Sequence, residues 1–128
     1  MWLTLSETDP RPIYLQIIAQ VREQVRSGRL KPGDELPSVR ELADNLGINM
    51  HTVRSAYLKL RDQGIINLRL GRRATIARAH LPIKNEEAEA ELQFRLEEWM
   101  TDSLLIGLTA EQIMQMFEKQ LKQMEKRS

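Results

Sequence analysis

Residues 36–60 read LPSVRELADNLGINMHTVRSAYLKL, and this stretch decides the fold. Two short helical patterns flank one glycine. Ser38 is a strong N-cap residue, and Glu41 three positions later predicts a capping box. Leu42, Ala43 and Leu46 give the first helix an apolar face. Gly47 stands where a helix C-terminus favours a left-handed residue. Asn49 then caps a second helix. In that helix Val53, Ala56, Tyr57 and Leu60 recur at i, i+3, i+4 and i+7, the spacing of one buried stripe. At about 100° per residue, His51 and Ser55 point away from the stripe, flanked by Thr52 and Arg54. The layout is that of a helix-turn-helix, whose second helix lies in the DNA major groove. Taken alone, the polar face suits an ordinary amphipathic surface helix equally well; the flanking elements decide between the two.

Downstream, residues 64–78 (GIINLRLGRRATIAR) read as a β-hairpin, with the wing over 65–78. Ile65, Ile66, Leu68 and Leu70 supply one apolar strand, Ala74, Ile76 and Ala77 the other, and Gly71 the turn. Arg72 and Arg73 occupy the tip, with Arg69 and Arg78 close by. A solvated basic turn is common in itself. Beside a recognition helix, such arginines suit phosphates and the enhanced negative potential of a narrow minor groove.

Upstream, Ile13, Ile17, Val21 and Val25 predict a helix over 13–27 with a buried face widened by Ile18. Pro12 is suited to its start and Gly28 to its end. Lys31-Pro32-Gly33-Asp34 reads as a type II turn. Glu35 to Pro37 is expected to add a third short strand to the wing. Trp2, Leu3 and Leu5 suggest an ordered N-terminal arm, whose packing site the sequence does not indicate.

The ordered series Pro12-Ile13-Tyr14, Gln16-Ile17, Gly28, Leu30, Pro32-Gly33, Leu36-Pro37-Ser38, Arg40-Glu41-Leu42-Ala43, Leu46-Gly47, Thr52-Val53-Arg54 and Gly64 resembles the GntR family of bacterial transcription regulators. The resemblance spans roughly the first three-fifths of the chain. The short segment after residue 80 is similar to the YtrA subfamily, whose members carry a two-helix dimerisation segment in place of a large effector domain. The resemblance implies that Arg40 reads bases or phosphates, that His51, Thr52 and Arg54 occupy contact positions, and that Gly71 is the wing-tip glycine. Met50 stands where many relatives carry a polar or basic residue, which argues against the usual base contact there. The family's Gly-x-Gly-Thr-Phe-Val wing is replaced by Gly71-Arg72-Arg73-Ala74-Thr75-Ile76. The second glycine and the aromatic are lost, so a more basic, differently shaped tip is expected, binding backbone more strongly and discriminating less.

Charge is divided along the chain. Residues 1–80 carry 13 Lys/Arg against 8 Asp/Glu, a net +5; residues 81–128 carry 6 against 10, a net −4. Phosphate binding calls for the basic half, which holds the helix-turn-helix, and DNA should repel the acidic half. The acidic half follows a linker at Leu81-Pro82. Residues 86–106 form one expected helix, with Leu92, Leu96, Trp99, Met100 and Leu104 on one side. Gly107 ends it. Thr109 and Gln112 form a capping box for the next, with a stripe of Ile113, Phe117, Leu121 and Met124 broadened by Met114 and Met116. Two such helices in 48 residues do not bury their apolar faces alone. They fold back on the first half or pair with a second copy, and operators are usually read by two-fold dimers. The methionines read as adaptable core filling rather than a ligand site.

Enzymatic chemistry finds no support. His51 and His80 lie in different elements, and no Gly-rich phosphate loop or metal-ligand spacing occurs. The run Glu86, Glu87, Glu89, Glu91 reads as a solvated helix N-terminus. There is no cysteine, no signal peptide and no apolar run of membrane-spanning length, so a cytoplasmic location without membrane contact is expected. The expectation is a mainly α protein with a small β-sheet: a winged helix-turn-helix over 1–80 and a two-helix dimerisation segment over 81–128. Ser38, Arg40, Asn49, His51, Thr52, Arg54, Ser55, Gly71, Arg72 and Arg73 are assigned to DNA. Leu92, Leu96, Trp99, Met100, Ile113, Phe117, Leu121 and Met124 are assigned to the dimer. No cofactor or metal is expected. The partners are a double-stranded operator, a second copy and, between protomers or halves, a small-molecule effector of unassigned chemistry. The rival reading is a winged-helix module that binds protein. Its interface would exchange the arginines for apolar anchors.

Overall fold

In the computed structural model, residues 3–78 and 86–127 are described. The first helix, α1 (Ile13–Arg26), starts where Pro12 sets the entry angle, and the Leu15 and Gln16 amides both donate to the Pro12 carbonyl. Ile17, Ile18 and Val21 are buried. Ile13 is 40% exposed and Val25 only half-buried, so the stripe is narrower at its ends than its four-residue period predicts. Burial here follows the neighbouring helix rather than the period. Gly28 takes a left-handed backbone that ends the helix. The Lys31–Asp34 turn closes through Asp34 N–H to Lys31 O (3.0 Å), with Gly33 at φ 91°.

Two further helices complete the triad: α2 (Val39–Leu46) and α3 (Met50–Asp62). The core beneath them joins Leu36, Leu42 and Ala43 to Val53, Ala56, Tyr57 and Leu60, and to Ile17, Ile18 and Val21. Gly47 lies at φ 68° with open space around a would-be Cβ, so the turn depends on backbone freedom alone. Gly47→Ala is expected to lower stability by about 1–2 kcal/mol, the cost of a left-handed L-residue. Thermal unfolding measures it, and an unchanged Tm would mean that the turn relaxes into another path.

The β-sheet is smaller than expected. β1 (Ile66–Asn67) pairs antiparallel with β2 (Thr75–Ile76), in the register Ile66 to Ile76 and Asn67 to Thr75. Glu35 adds a single bridge to Thr75 instead of a third strand, framed by Leu36 N–H to Ala74 O (2.8 Å) and Ile76 N–H to Asp34 O (2.9 Å). Ile66, Ala74 and Ile76 face the core, whereas Leu70 is wholly exposed. The alternation of Ile66, Leu68 and Leu70 continues past the point where the ladder stops. Beyond Asn67 the chain enters the tip turn, where nothing lies alongside to bury Leu70.

The N-terminal arm finds its site on α1. Leu3 is buried in the core, and two glutamine side chains hold the arm's backbone. Gln20 accepts from the Thr4 amide (3.0 Å) and donates to the Thr4 carbonyl; Gln16 accepts from the Ser6 amide (3.0 Å) and donates to Ser6 O (3.3 Å) and Arg11 O (3.0 Å). Each amide thus mimics one rung of a β-ladder, which is why buried Gln16 interrupts the apolar face without penalty. After the arm, the Arg11 guanidinium donates to Asp9 and holds its carboxyl at about 2, below the ordinary 3.8. That tie is present above the ordinary carboxylate value and is lost as pH falls through about 2. The expected contribution of Trp2 to the arm, and the Leu81-Pro82 linker, lie outside the described residues.

The described residues 86–127 belong to a separate compact unit. α4 (Glu86–Leu105) ends at a turn with Gly107 at φ 93°, and α5 (Ala110–Lys126) begins under a complete capping box. There the Gln112 amide donates to the Thr109 hydroxyl, and the Thr109 amide to the Gln112 side chain. Trp99 and Phe117 meet with ring centroids 4.8 Å apart at 52°. Ile113 is buried, as is Ser103, whose hydroxyl donates to the Trp99 carbonyl (2.8 Å).

Candidate nucleic-acid interface

Caps set both helices of the motif. The Ser38 hydroxyl accepts the Glu41 amide (3.1 Å), and the Asn49 side chain accepts the His51 amide (2.7 Å). Of the expected Ser38–Glu41 box the hydroxyl arm alone is present among the described residues, in contrast to the full box at Thr109. Glu41 instead turns its carboxylate toward the wing, where the Arg73 guanidinium donates to it. Either use of the carboxylate is charge-assisted, and the guanidinium adds a second charge and a fork of donors.

Tyr57 fixes α3 against the start of α2. Its ring is in the core, and its hydroxyl donates to the Pro37 carbonyl (2.7 Å). Burial, reinforced by the Glu41 charge, pushes the Tyr57 hydroxyl well above the ordinary tyrosine range and keeps the donor in place. With Val53, Ala56, Tyr57 and Leu60 turned inward, the opposite face of α3 presents His51, Arg54 and Ser55 to solvent; Thr52 is half-buried. The Ser55 hydroxyl donates to His51 O (2.9 Å), so its remaining capacity is as an acceptor. Met50, the first residue of α3, is 37% exposed.

Positive charge surrounds this face unevenly. Arg40, Arg54, Arg69 and Arg72 are exposed, and among the described residues their side chains form no ion pair. Arg73 differs: besides Glu41, its Nε lies 3.9 Å from a Glu35 carboxylate oxygen. Gly71, at φ 74°, lets the tip turn over an Arg72 N–H to Arg69 O bond (3.1 Å). An open cleft of about 350 Å³ runs between α2 and the wing, lined by Ser38, Val39, Tyr57 and Gly71 to Ala74. Of the ten residues assigned to DNA, Ser38 and Asn49 act as caps and Arg73 is already paired. The remaining seven lie on α2, α3 and the wing tip. The Arg73 partnership escaped the sequence, since Glu41 is 32 residues away and carries a local capping signal of its own.

In the second unit, the expected stripes are far from buried. Leu92, Trp99 and Leu121 are exposed; Leu96, Met100, Phe117 and Met124 are half-buried; Ile113 is buried. Phe94, Leu104, Leu105, Ile106, Met114 and Met116 add further exposed apolar surface.

The model of the bacterial regulatory proteins of the gntR family matches residues 13–76. The chain is 37% identical over 112 residues to the HTH-type transcriptional repressor YtrA of Bacillus subtilis, covering 85% of this chain and 86% of that protein. Among solved structures it resembles a transcriptional antiterminator from Listeria monocytogenes, with a TM-score of 0.84 and 30% identity over 94% of this chain and 90% of that one. It also resembles the DNA-binding domain of AraR in complex with the operator ORX1, with a TM-score of 0.51 and 29% identity over 57% of this chain and 87% of that one.

Proposed function

This chain belongs to the gntR family of bacterial regulatory proteins and is a helix-turn-helix transcription regulator, and we propose that it acts as a homodimeric repressor on a pseudo-palindromic operator. The observation that carries this reading is the outer face of α3. His51, Arg54 and Ser55 stand opposite the core stripe on a capped helix, with Arg40 and Arg72, which form no ion pair among the described residues, on the flanking elements. Each α3 would enter a major groove of successive half-sites, and the wings would follow the adjacent minor grooves. Arg40 and Arg54 would supply charge-assisted contacts, and His51, Thr52 and Ser55 would adjust sequence preference. The apolar surface left open on α4 and α5 supports pairing of two copies through the second unit, since exposed patches of this kind mark association sites.

Selection of bound duplexes from a random pool is the direct test. A palindromic consensus with half-sites about one helical turn apart is expected. An unstructured pool would turn the interpretation toward the rival protein-binding module. On the selected duplex, Arg54→Ala is expected to weaken binding by about 1–3 kcal/mol and to relax preference at one position of each half-site. Unaltered affinity at fixed salt would remove Arg54 from the contact set.

A further inference from the structure

We infer that Arg73 is a positioning residue and not a phosphate ligand: its ion pair with Glu41 ties the wing tip to α2, so that Arg72 alone of the two tip arginines is delivered to DNA. The inference rests on the proposed DNA-binding reading and concerns how the wing is held. The ladder beneath the tip is two residue pairs long, and Leu70 within the tip touches no core. Residues 69–73 therefore lack a hydrophobic tether of their own. Their internal bond is Arg72 N–H to Arg69 O, and the apolar anchors lie outside the tip, at half-buried Leu68 before it and buried Ala74 after it. The Arg73 side chain supplies what is missing, reaching from the tip to Glu41 on the first turn of α2, with Glu35 beside it at 3.9 Å.

Charge separates the two arginines. Around Arg73, two carboxylates face one guanidinium, a local net of −1, and that field opposes an approaching phosphate. Arg72 has no such partner among the described residues. Glu41 also has a competing local use, the second arm of the capping box. Thr109 and Gln112 form that arm in this same chain, so the sequence pattern is able to form it, and Glu41 bonds Arg73 instead.

The test uses the full chain and a short random-sequence DNA duplex, with binding followed by fluorescence anisotropy across a range of salt. For Arg72→Ala the slope of log K against log salt should become shallower by about 0.9, the value of one phosphate contact. For Arg73→Ala the slope should equal that of the wild type, while affinity falls by no more than about fivefold, the most that an exposed ion pair is worth. Arg73→Glu should weaken binding further, and adding Glu41→Arg to it should restore affinity with the slope unchanged. In the free protein, exchange of the Arg72 and Leu36 amides should accelerate in Arg73→Ala and stay as in the wild type in Arg72→Ala. In Arg72→Ala/Arg73→Ala the slope should equal that of Arg72→Ala; a further loss of about 0.9 in the double variant would make Arg73 a phosphate ligand in its own right and overturn the inference. Failure of the charge exchange to restore binding would overturn it too. A wild-type chain that does not bind the duplex at low salt would instead bring down the DNA-binding reading itself, and the delivery of Arg72 with it; unaccelerated amide exchange would then dispose of the tie as well.

Discussion

Leu60→Ala is expected to cost the winged-helix unit about 2–5 kcal/mol, the range for removing a buried leucine side chain from a packed core. Leu60 is wholly buried in the cluster that joins α3 to Ile17 and Val21 of α1 and to Ile66 and Ile76 of the sheet. Every element that positions the proposed DNA face draws on that cluster, so the loss is shared by the whole unit. Small domains hold about 5–15 kcal/mol in total, and a cavity here removes a large fraction. Urea unfolding followed by circular dichroism, at one fixed protein concentration, reads the effect. Leu58→Ala, two residues away on the same helix and 38% exposed, is the control, with an expected change within about 0.5 kcal/mol. Equal shifts in the two variants would show that α3 does not pack with the face described.

The combined substitution Leu92→Asp with Leu121→Asp is expected to convert the protein to monomers and to weaken binding to a palindromic duplex by on the order of 10²-fold or more, the gain that linking two half-site contacts provides. Both leucines are more than half exposed on α4 and α5, at 56% and 60%. Their replacement therefore leaves the hairpin's own contacts in place: Ile113, the Trp99–Phe117 ring pair and the Ser103 bond to Trp99 O. That choice matters, because changing Phe117 would disturb the hairpin and the proposed interface together. Charged groups at the centre of an apolar interface are strongly disfavoured unless paired. Sedimentation velocity should give a single species at the monomer mass with helical content preserved. A persistent dimer would move the proposed interface to another surface, and a monomer that keeps full operator affinity would detach dimerisation from DNA binding.

Much of the fold was legible in the sequence wherever the signal is local. Ser38, Asn49 and Thr109 cap the helices they precede, and Gly47 and Gly107 end those they follow. Such signals read reliably because a cap involves a side chain and amides within three positions of it. The stripe Val53, Ala56, Tyr57 and Leu60 is buried throughout, since a helix sandwiched in a small core has one possible inner face. Periodicity carried less far at the ends of elements. Ile13 and Leu70 both continue an apolar period and both are exposed, because a period records which way a side chain points and not whether anything lies there.

The candidate site divides along the same line. The outward direction of His51, Arg54 and Ser55 follows from the helical repeat, and that much was readable from residues 36–60. The free or paired state of each arginine was not. Arg40, Arg54, Arg72 and Arg73 look alike in sequence, yet among the described residues Arg73 alone of them meets carboxylates, from positions 35 and 41. The arm shows the same limit, for Gln16 and Gln20 read as helix residues until the backbone of Thr4 and Ser6 lies beside them. By itself the sequence determined the helices, the caps at Ser38, Asn49 and Thr109, the inner face of α3 and the division of charge, all properties of neighbours along the chain. Only the tertiary structure decided which polar groups find one another, because ion pairs and side-chain amide bonds form between residues that folding, and not sequence, brings within about 3–4 Å.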